Sequence, residues 1–323
     1  MRKIKFIPEN TNFPFMKVRL MALMLSAVLI LGSIGAFFTV GLNKGIDFEG
    51  GILMEVGLEK APDLSAMRSA LGNLGLGQVA LQTFGSDTDI LIRVQRQEGD
   101  ASAQEAAMDS IKAQLAADYG ENVSYRRVEF VGPKVSSELV IVAIEAVIAA
   151  VFAMLVYIWF RFEWQYSVAA ILAIVHDVII TIGMFTITGL EFNLSSIAAL
   201  LTIVGYSIND TVVVYDRIRE NFRRFKKLEV SDLINLSINE TLSRTTMTSF
   251  TTLLALGALY IFGGEVIRGF AAAMIFGILI GTYSSIFVAS PILMFFGLKH
   301  QKEEEDGGFA GAERTDAEIE EKN

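Results

Sequence analysis

The 323-residue chain has no cysteine and only two histidines, His176 and His300. The first absence excludes a disulfide framework and thiolate chemistry. The second leaves too few imidazoles for a histidine-rich metal site, so no metal and no cofactor is expected. Basic patches interleaved with aromatics are also missing, which removes nucleic acid from the expected partners. Acidic residues are scarce where the chain is longest: residues 136–298 hold only 12, separated by long uncharged runs. The overall composition, 52% hydrophobic and 20% charged, hides this unevenness. Net charge is +4 over residues 1–40, −5 over 41–135, −3 over 136–298 and −5 over 299–323. Such a distribution fits neither a single soluble globule nor a disordered polyelectrolyte.

What is present is a set of apolar runs long enough to cross a bilayer. Residues 20–40 contain no charge and follow Lys17 and Arg19. About 20 apolar residues span the hydrocarbon core as a helix, whereas the apolar part of a cleaved signal is roughly 7–15 long, so a retained anchor is expected. Five further candidates fall at 136–160, 167–188, 194–215, 245–262 and 270–296. Orientation follows the positive charges of short flanks. Arg2, Lys3, Lys5, Lys17 and Arg19 precede the first span, Arg161 lies between the second and third, and Lys299 follows the sixth. The connection after the fourth holds Arg217, Arg219, Arg223, Arg224, Lys226 and Lys227, whereas the turns 189–193 and 263–269 hold only Arg268. Both termini are therefore expected in the cytoplasm.

Residues 41–135 then form one external domain, following the cytoplasmic N-terminal tail (1–19) and span one (20–40). Ile52, Met54 and Val56 alternate as a strand, and a helix begins after the N-cap residue Asp63. Residues 79–84 and 89–94 read as strands around Gly85-Ser86-Asp87, residues 102–119 as a helix stopped by Gly120, and 122–130 as a last strand. The order β-α-β-β-α-β predicts a ferredoxin-like α+β domain. It contains no catalytic constellation, and no enzymatic activity is expected. Spans two to six occupy 136–298 with a cytoplasmic linker at 216–243. In that linker Leu228, Leu233, Ile234 and residues 236–238 suggest a short amphipathic helix, lying on the membrane surface or simply solvated. The acidic segment 299–323 has the composition of a disordered tail.

Ionisable groups within spans are costly and mark bundle interiors or wet cavities. Here they are Glu145, His176, Asp177 and Asp210, with Arg244 at the start of span five. Asp177 lies near mid-span and Asp210 about 7 Å from the middle of its own, at 1.5 Å per residue. Arg244 starts at the same membrane face and can reach toward Asp210, an arrangement in which a carboxylate can gain and lose a proton. A structural ion pair is the competing reading for both aspartates. Thr202, Gly205, Asn209 and Asp210 make a small polar stripe on span four; Arg244, Thr248, Thr251 and Thr252 make another on span five. Ordinary packing or back-bonding to helix carbonyls is the alternative for these hydroxyls. Asn209, Thr248 and His176 are candidate supporting groups, and Glu145 has no evident partner. Ala273, Gly277 and Gly281 form a ridge for close helix packing. Gly41 and Gly45 are either hinges or turn residues.

Several motifs resemble those of the SecD/SecF family of bacterial protein-export membrane subunits, on its SecF side. They are Gly45-Ile46-Asp47-Phe48-Glu49-Gly50-Gly51, Arg161-Phe162-Glu163, His176-Asp177-Val178, the run from Gly205 through Asn209-Asp210 to Asn221, and Ser243-Arg244-Thr245-Thr246. The resemblance covers residues 12–298. It implies an α-helical polytopic membrane protein, an RND-type half bundle of six transmembrane helices, in the bacterial inner membrane. It also implies a SecD partner, association with the SecYEG channel and YajC, cooperation with SecA, and use of the proton-motive force to draw preproteins outward. The proton path it implies falls on Asp210 and Arg244, with Asp177 behind them. Two other classes compete. An intramembrane aspartyl protease would also use two aspartates, but no Gly-x-Gly-Asp occurs; a small-molecule RND exporter would need a second half and larger external domains.

Overall fold

A computed structural model describes residues 11–97, 99, 101–120 and 122–296. Arg2, Lys3, Lys5, the tail 299–323 and His300 lie outside the described residues. A short 3₁₀ turn, Phe15–Val18, leads into α1 (Arg19–Thr39). A single-turn helix, α2 (Ile46–Glu49), precedes β1 (Gly51–Gly57), α3 (Leu64–Gly72), β2 (Val79–Phe84), β3 (Ser86–Val94), α4 (Ala101–Tyr119) and β4 (Ser124–Val131). The chain then continues through α5 (Pro133–Arg161), α6 (Trp164–Thr188), α7 (Leu194–Arg224), α8 (Val230–Phe262) and α9 (Gly264–Ser284). A π-helical turn, Ser285–Ala289, joins α9 to α10 (Ser290–Phe295). Pro291 stands two residues beyond that turn. A proline has no N–H to give to the preceding helical turn, and a widened turn is one way a helix absorbs the loss.

The inserted domain is the ferredoxin-like arrangement expected, an antiparallel sheet in the order β2-β3-β1-β4. Alternation decides its two faces. Ile52, Met54, Val56, Ile90 and Ile92 bury themselves against Met67 and Leu71 of α3 and Ile111 and Leu115 of α4. Asp63 caps α3 by accepting from the amides of Ser65 and Ala66 at 2.8 and 3.2 Å. On the opposite face, Leu53 and Leu91 cover Ile46 of α2. Glycine is required where the chain enters the sheet: Gly51 has φ +122°, and a Cβ there would sit 2.5 Å from the Val94 carbonyl oxygen.

Among the described residues six helices are long and apolar enough to cross a membrane, and they divide into two classes. In the most apolar stretch of α6, α7 and the α9–α10 segment, 56%, 50% and 56% of residues are buried; in α1, α5 and α8 the shares are 17%, 6% and 17%. The buried three meet through small residues. A Cβ on Gly277 of α9 would lie 2.3 Å from Ile203 Cδ1 of α7, and one on Gly281 would lie 3.1 Å from Ser207 Cβ. The Ala273-Gly277-Gly281 ridge is thus the seam along which α9 approaches α7.

One expectation fails. Residues 216–243 do not hold a separate surface helix: α7 runs on to Arg224, α8 begins at Val230, and only 225–229 turns. Leu233, Ile234 and Ile238 are fully buried against Val214, Tyr215 and Ile218 of α7, so the apolar face meets protein. Polar groups complete the hairpin. The Asn221 amide donates to Ser237 Oγ (3.0 Å) and Glu240 Oε2 (2.7 Å), and Arg217 donates to Glu240 at 2.7 Å. At about 1.5 Å per residue α8 is about 50 Å long, well beyond the ~30 Å hydrocarbon core. The segment before α1 packs on it: Phe13 N–H donates to Asn239 Oδ1 at 2.9 Å, and Asn239 returns a bond to the Phe13 carbonyl at 3.0 Å.

Candidate functional site

The buried helices converge on Asp177 of α6, which is 1% exposed. Ser207 of α7 and Ser284 of α9 donate to its Oδ2 at 2.6 and 2.7 Å, and His176 Nδ1 lies 2.8 Å from its Oδ1. One side chain therefore ties three helices. The His176 ring is buried, lies nearly parallel to Tyr283 with centroids 6.2 Å apart, and its Nε2 has no partner among the described residues. Tyr283 extends the chain of contacts to α1, donating to the Ala22 carbonyl at 2.8 Å and lying 3.1 Å from Ser26 Oγ. Ser207, Ser284 and Tyr283 were not singled out from the sequence. Serines in helices usually bond their own backbone, so their types gave no signal. Position did: Ser207 lies within the span-four motif, and Ser284 continues the Gly277-Gly281 ridge by one turn.

Asp210 stands one turn beyond Ser207 on α7 and is 2% exposed, yet its Oδ2 is buried without a hydrogen-bond partner among the described residues. On α8 the buried Thr245 Oγ1 is likewise unpartnered among the described residues. Arg244 acts on Asp210 electrostatically, but no direct ion pair joins them, and the guanidinium-bearing residue is exposed. The two residues named first from the sequence thus lie within electrostatic reach of one another without an ion pair.

The supporting groups separate. Asn209 is exposed, whereas its neighbour Asp210 is buried. Thr248 bonds the Arg244 carbonyl at 2.8 Å, Thr202 bonds Ala198, and Thr251 and Thr252 bond Met247 and Thr248: for these hydroxyls the back-bonding alternative holds. Glu145 is exposed on α5, outside both aspartate sites. Among the described residues no group of three or more His, Cys, Asp or Glu is placed to hold a metal.

A second polar cluster joins the inserted domain to the bundle. Arg93 of β3 pairs with Glu191 in the α6–α7 turn, and both are mostly buried. Asn43 Nδ2 donates to the Gly189 carbonyl at 2.8 Å, and Asp47 of α2 accepts the Leu194 N–H at 2.9 Å, capping α7. Lys44 and Phe192 form a parallel bridge. Burial pushes the Glu191 carboxyl above its usual range, an effect larger than the opposing pull of Arg93. Gly45 lies hard under this carboxylate, since a Cβ there would come within 2.6 Å of Glu191 Oε1. It serves close packing; Gly41, in a left-handed turn with open space around it, is the turn residue of the pair.

Comparison with known proteins gives a consistent set of matches. The family described as "Protein export membrane protein SecD/SecF, C-terminal" matches residues 111–299, and the "SecD/SecF GG Motif" matches 35–62, which includes Gly50 and Gly51. "Protein translocase subunit SecF" of Rickettsia akari is 48% identical over 299 residues, 91% of this chain and 94% of that protein. The corresponding protein of Rickettsia bellii is 47% identical, over 92% of this chain and 97% of its own. Among solved structures, SecDF of Thermus thermophilus, described as a translocon-associated membrane protein, superposes with a TM-score of 0.80 at 37% identity. The match covers 90% of this chain but 39% of that one, so the chain spans about two fifths of the SecDF polypeptide. A SecDF structure in a super-membrane-facing form gives a TM-score of 0.62 at 36% identity.

Proposed function

The chain belongs to the SecD/SecF family of protein-export membrane proteins, and on that premise we propose that Asp210 and Arg244 are its proton-coupling pair. It is an auxiliary, multi-pass inner-membrane subunit of the Sec translocase and associates with SecD. The observation that carries the proposal is the unpartnered, buried oxygen of Asp210 opposite an exposed, uncommitted Arg244. An ionised Asp210 attracts the guanidinium across the α7–α8 interface, and a protonated one releases it. Each proton moved through the field supplies about 2.3 kcal/mol per 100 mV. Repacking of α7 against α8 passes this to α6 and the 189–193 turn, and from there through Arg93 and Asp47 to the inserted domain.

In the proposed orientation the inserted domain is periplasmic and both termini are cytoplasmic, in line with the cations at the far end of the bundle. With SecD the subunit acts beside SecYEG, with YajC as a further neighbour, drawing the preprotein outward after SecA has driven it in. No catalytic step is assigned. Asp177 has a supporting place: its hydroxyl contacts hold α6, α7 and α9 in register behind the pair.

Asp210→Asn is the test. In vesicles carrying the full translocase, it is expected to abolish the stimulation of export by a proton gradient while leaving the complex with SecD intact. Gradient-dependent export at the wild-type level would overturn the assignment.

A further inference from the structure

At the end of the bundle away from the inserted domain, the end of α5 and one face of α7 border an open cleft of about 400 Å³ lined by Arg161, Asp216, Arg219, Glu220, Arg223 and Arg224. Its carboxylates are already engaged. Asp216 pairs with Arg161 at 2.7 Å, and Glu220 with Arg217 at 2.6 Å. Arg219, Arg223 and Arg224 have no carboxylate within 4 Å among the described residues, although Arg219 also reaches the Arg161 carbonyl at 3.4 Å. Residues 216, 219, 220, 223 and 224 repeat at helical spacing, so α7 presents them on one face. The cleft is therefore a pocket with surplus guanidinium donors, whose forked geometry suits phosphate oxygens.

Its position decides which phosphate. The end of α5 that runs into the cleft carries Tyr157, Trp159 and Phe160 at 53%, 63% and 90% exposure, and Trp164 beside it is 54% exposed. Exposed aromatics next to cations mark the depth of lipid headgroups on a spanning helix. Behind them α5 is almost wholly uncovered, with Ile148 and Phe152 facing outward. A ligand held here by its phosphate would have an apolar helix face beside it for its chains. We infer that this cleft is a binding site for an anionic phospholipid, its phosphodiester on Arg219 and Arg223 and its acyl chains along α5. The inference uses the membrane-spanning reading of α5 but not the proton path.

The experiment titrates the purified full-length chain in detergent with phosphatidylglycerol, phosphatidylcholine or inorganic phosphate, counting bound molecules by native mass spectrometry. Phosphatidylglycerol is expected to bind in preference to the other two. Two cations near a lipid surface contribute enough that R219Q/R223Q should weaken that binding roughly 30-fold. Lys226→Gln with Lys227→Gln removes the same charge from the adjacent turn, outside the cleft, and should change it less than about threefold. R219K/R223K keeps the charge but loses the fork, and should bind more weakly than the native chain yet more tightly than R219Q/R223Q. Equal binding of phosphatidylcholine, equal loss in the Lys226/Lys227 variant, or loss in the lysine variant as deep as in the glutamine one would overturn the site. Inorganic phosphate binding as well as the lipid would overturn the lipid as its ligand.

Discussion

The two halves of the bundle obey different rules. In α6, α7 and α9 the helices approach closely enough that glycine is needed at 277, and Asp177 is saturated with donors. In α1, α5 and α8 large apolar side chains point outward, and the charged residues Glu145 and Arg244 are exposed. Within lipid, apolar exposure costs little, but exposed charges do. The first half is a finished packing unit; the second is a surface with charges awaiting counterparts. Asp210 sits on the border, buried like the first half and unpartnered like the second.

This contrast can be broken at several points. The largest effect is expected from Gly277→Leu, which drives a side chain into Ile203 and should cost about 3 kcal/mol or more in denaturant unfolding of the isolated chain. Ile148→Ala, at 63% exposure, removes three apolar carbons from α5 and should leave that stability nearly unchanged. Comparable losses in the two variants would erase the distinction. Next comes Ser284→Ala, which strips one donor from a buried carboxylate and should cost about 1–3 kcal/mol in the same assay.

A smaller effect lies at the junction. Glu191 is held above the usual carboxylate range in the docked state, so docking binds protons, and linkage strengthens it as pH falls from neutral through that range. Spin labels on β2 and on the 189–193 turn should report a larger docked fraction in mild acid. Glu191→Gln should flatten that dependence, and a docked fraction that falls on acidification in the native chain would contradict the sign. Thr248→Val should have the least effect, under about 0.5 kcal/mol in unfolding and none on gradient-dependent export, because its hydroxyl serves its own helix.

The parts of this architecture that follow from periodicity were legible in the sequence. Alternating Ile52, Met54 and Val56 announced a strand, Asp63 announced a cap, and uncharged runs announced the spans. The α7–α8 hairpin was not legible, because six cations among residues 217–227 look like a loop until Leu233, Ile234 and Ile238 are known to meet α7 rather than lipid. Composition fixes which face is apolar, not what covers it. The same limit explains the site. Asp177, Asp210 and Arg244 stood out because charge is rare in a span, whereas Ser207, Ser284 and Tyr283 are ordinary helix residues until a carboxylate is found between them.

The overhang of α8 has a mechanical meaning. From Arg244 to Val230 the helix is unbroken over fourteen residues, an arm of about 21 Å. A rocking of about 10° at the level of Arg244 displaces the far tip by roughly 4 Å, about two thirds of the helical pitch. The hairpin is stiffened along that length by Asn221, Glu240 and Arg217, so little of the motion is lost to bending. On the proposed proton path, a small event at Asp210 would be delivered, enlarged, to the end of the bundle away from the inserted domain. The same arm runs in reverse, and a push on the hairpin tip becomes a small change of spacing around Asp210.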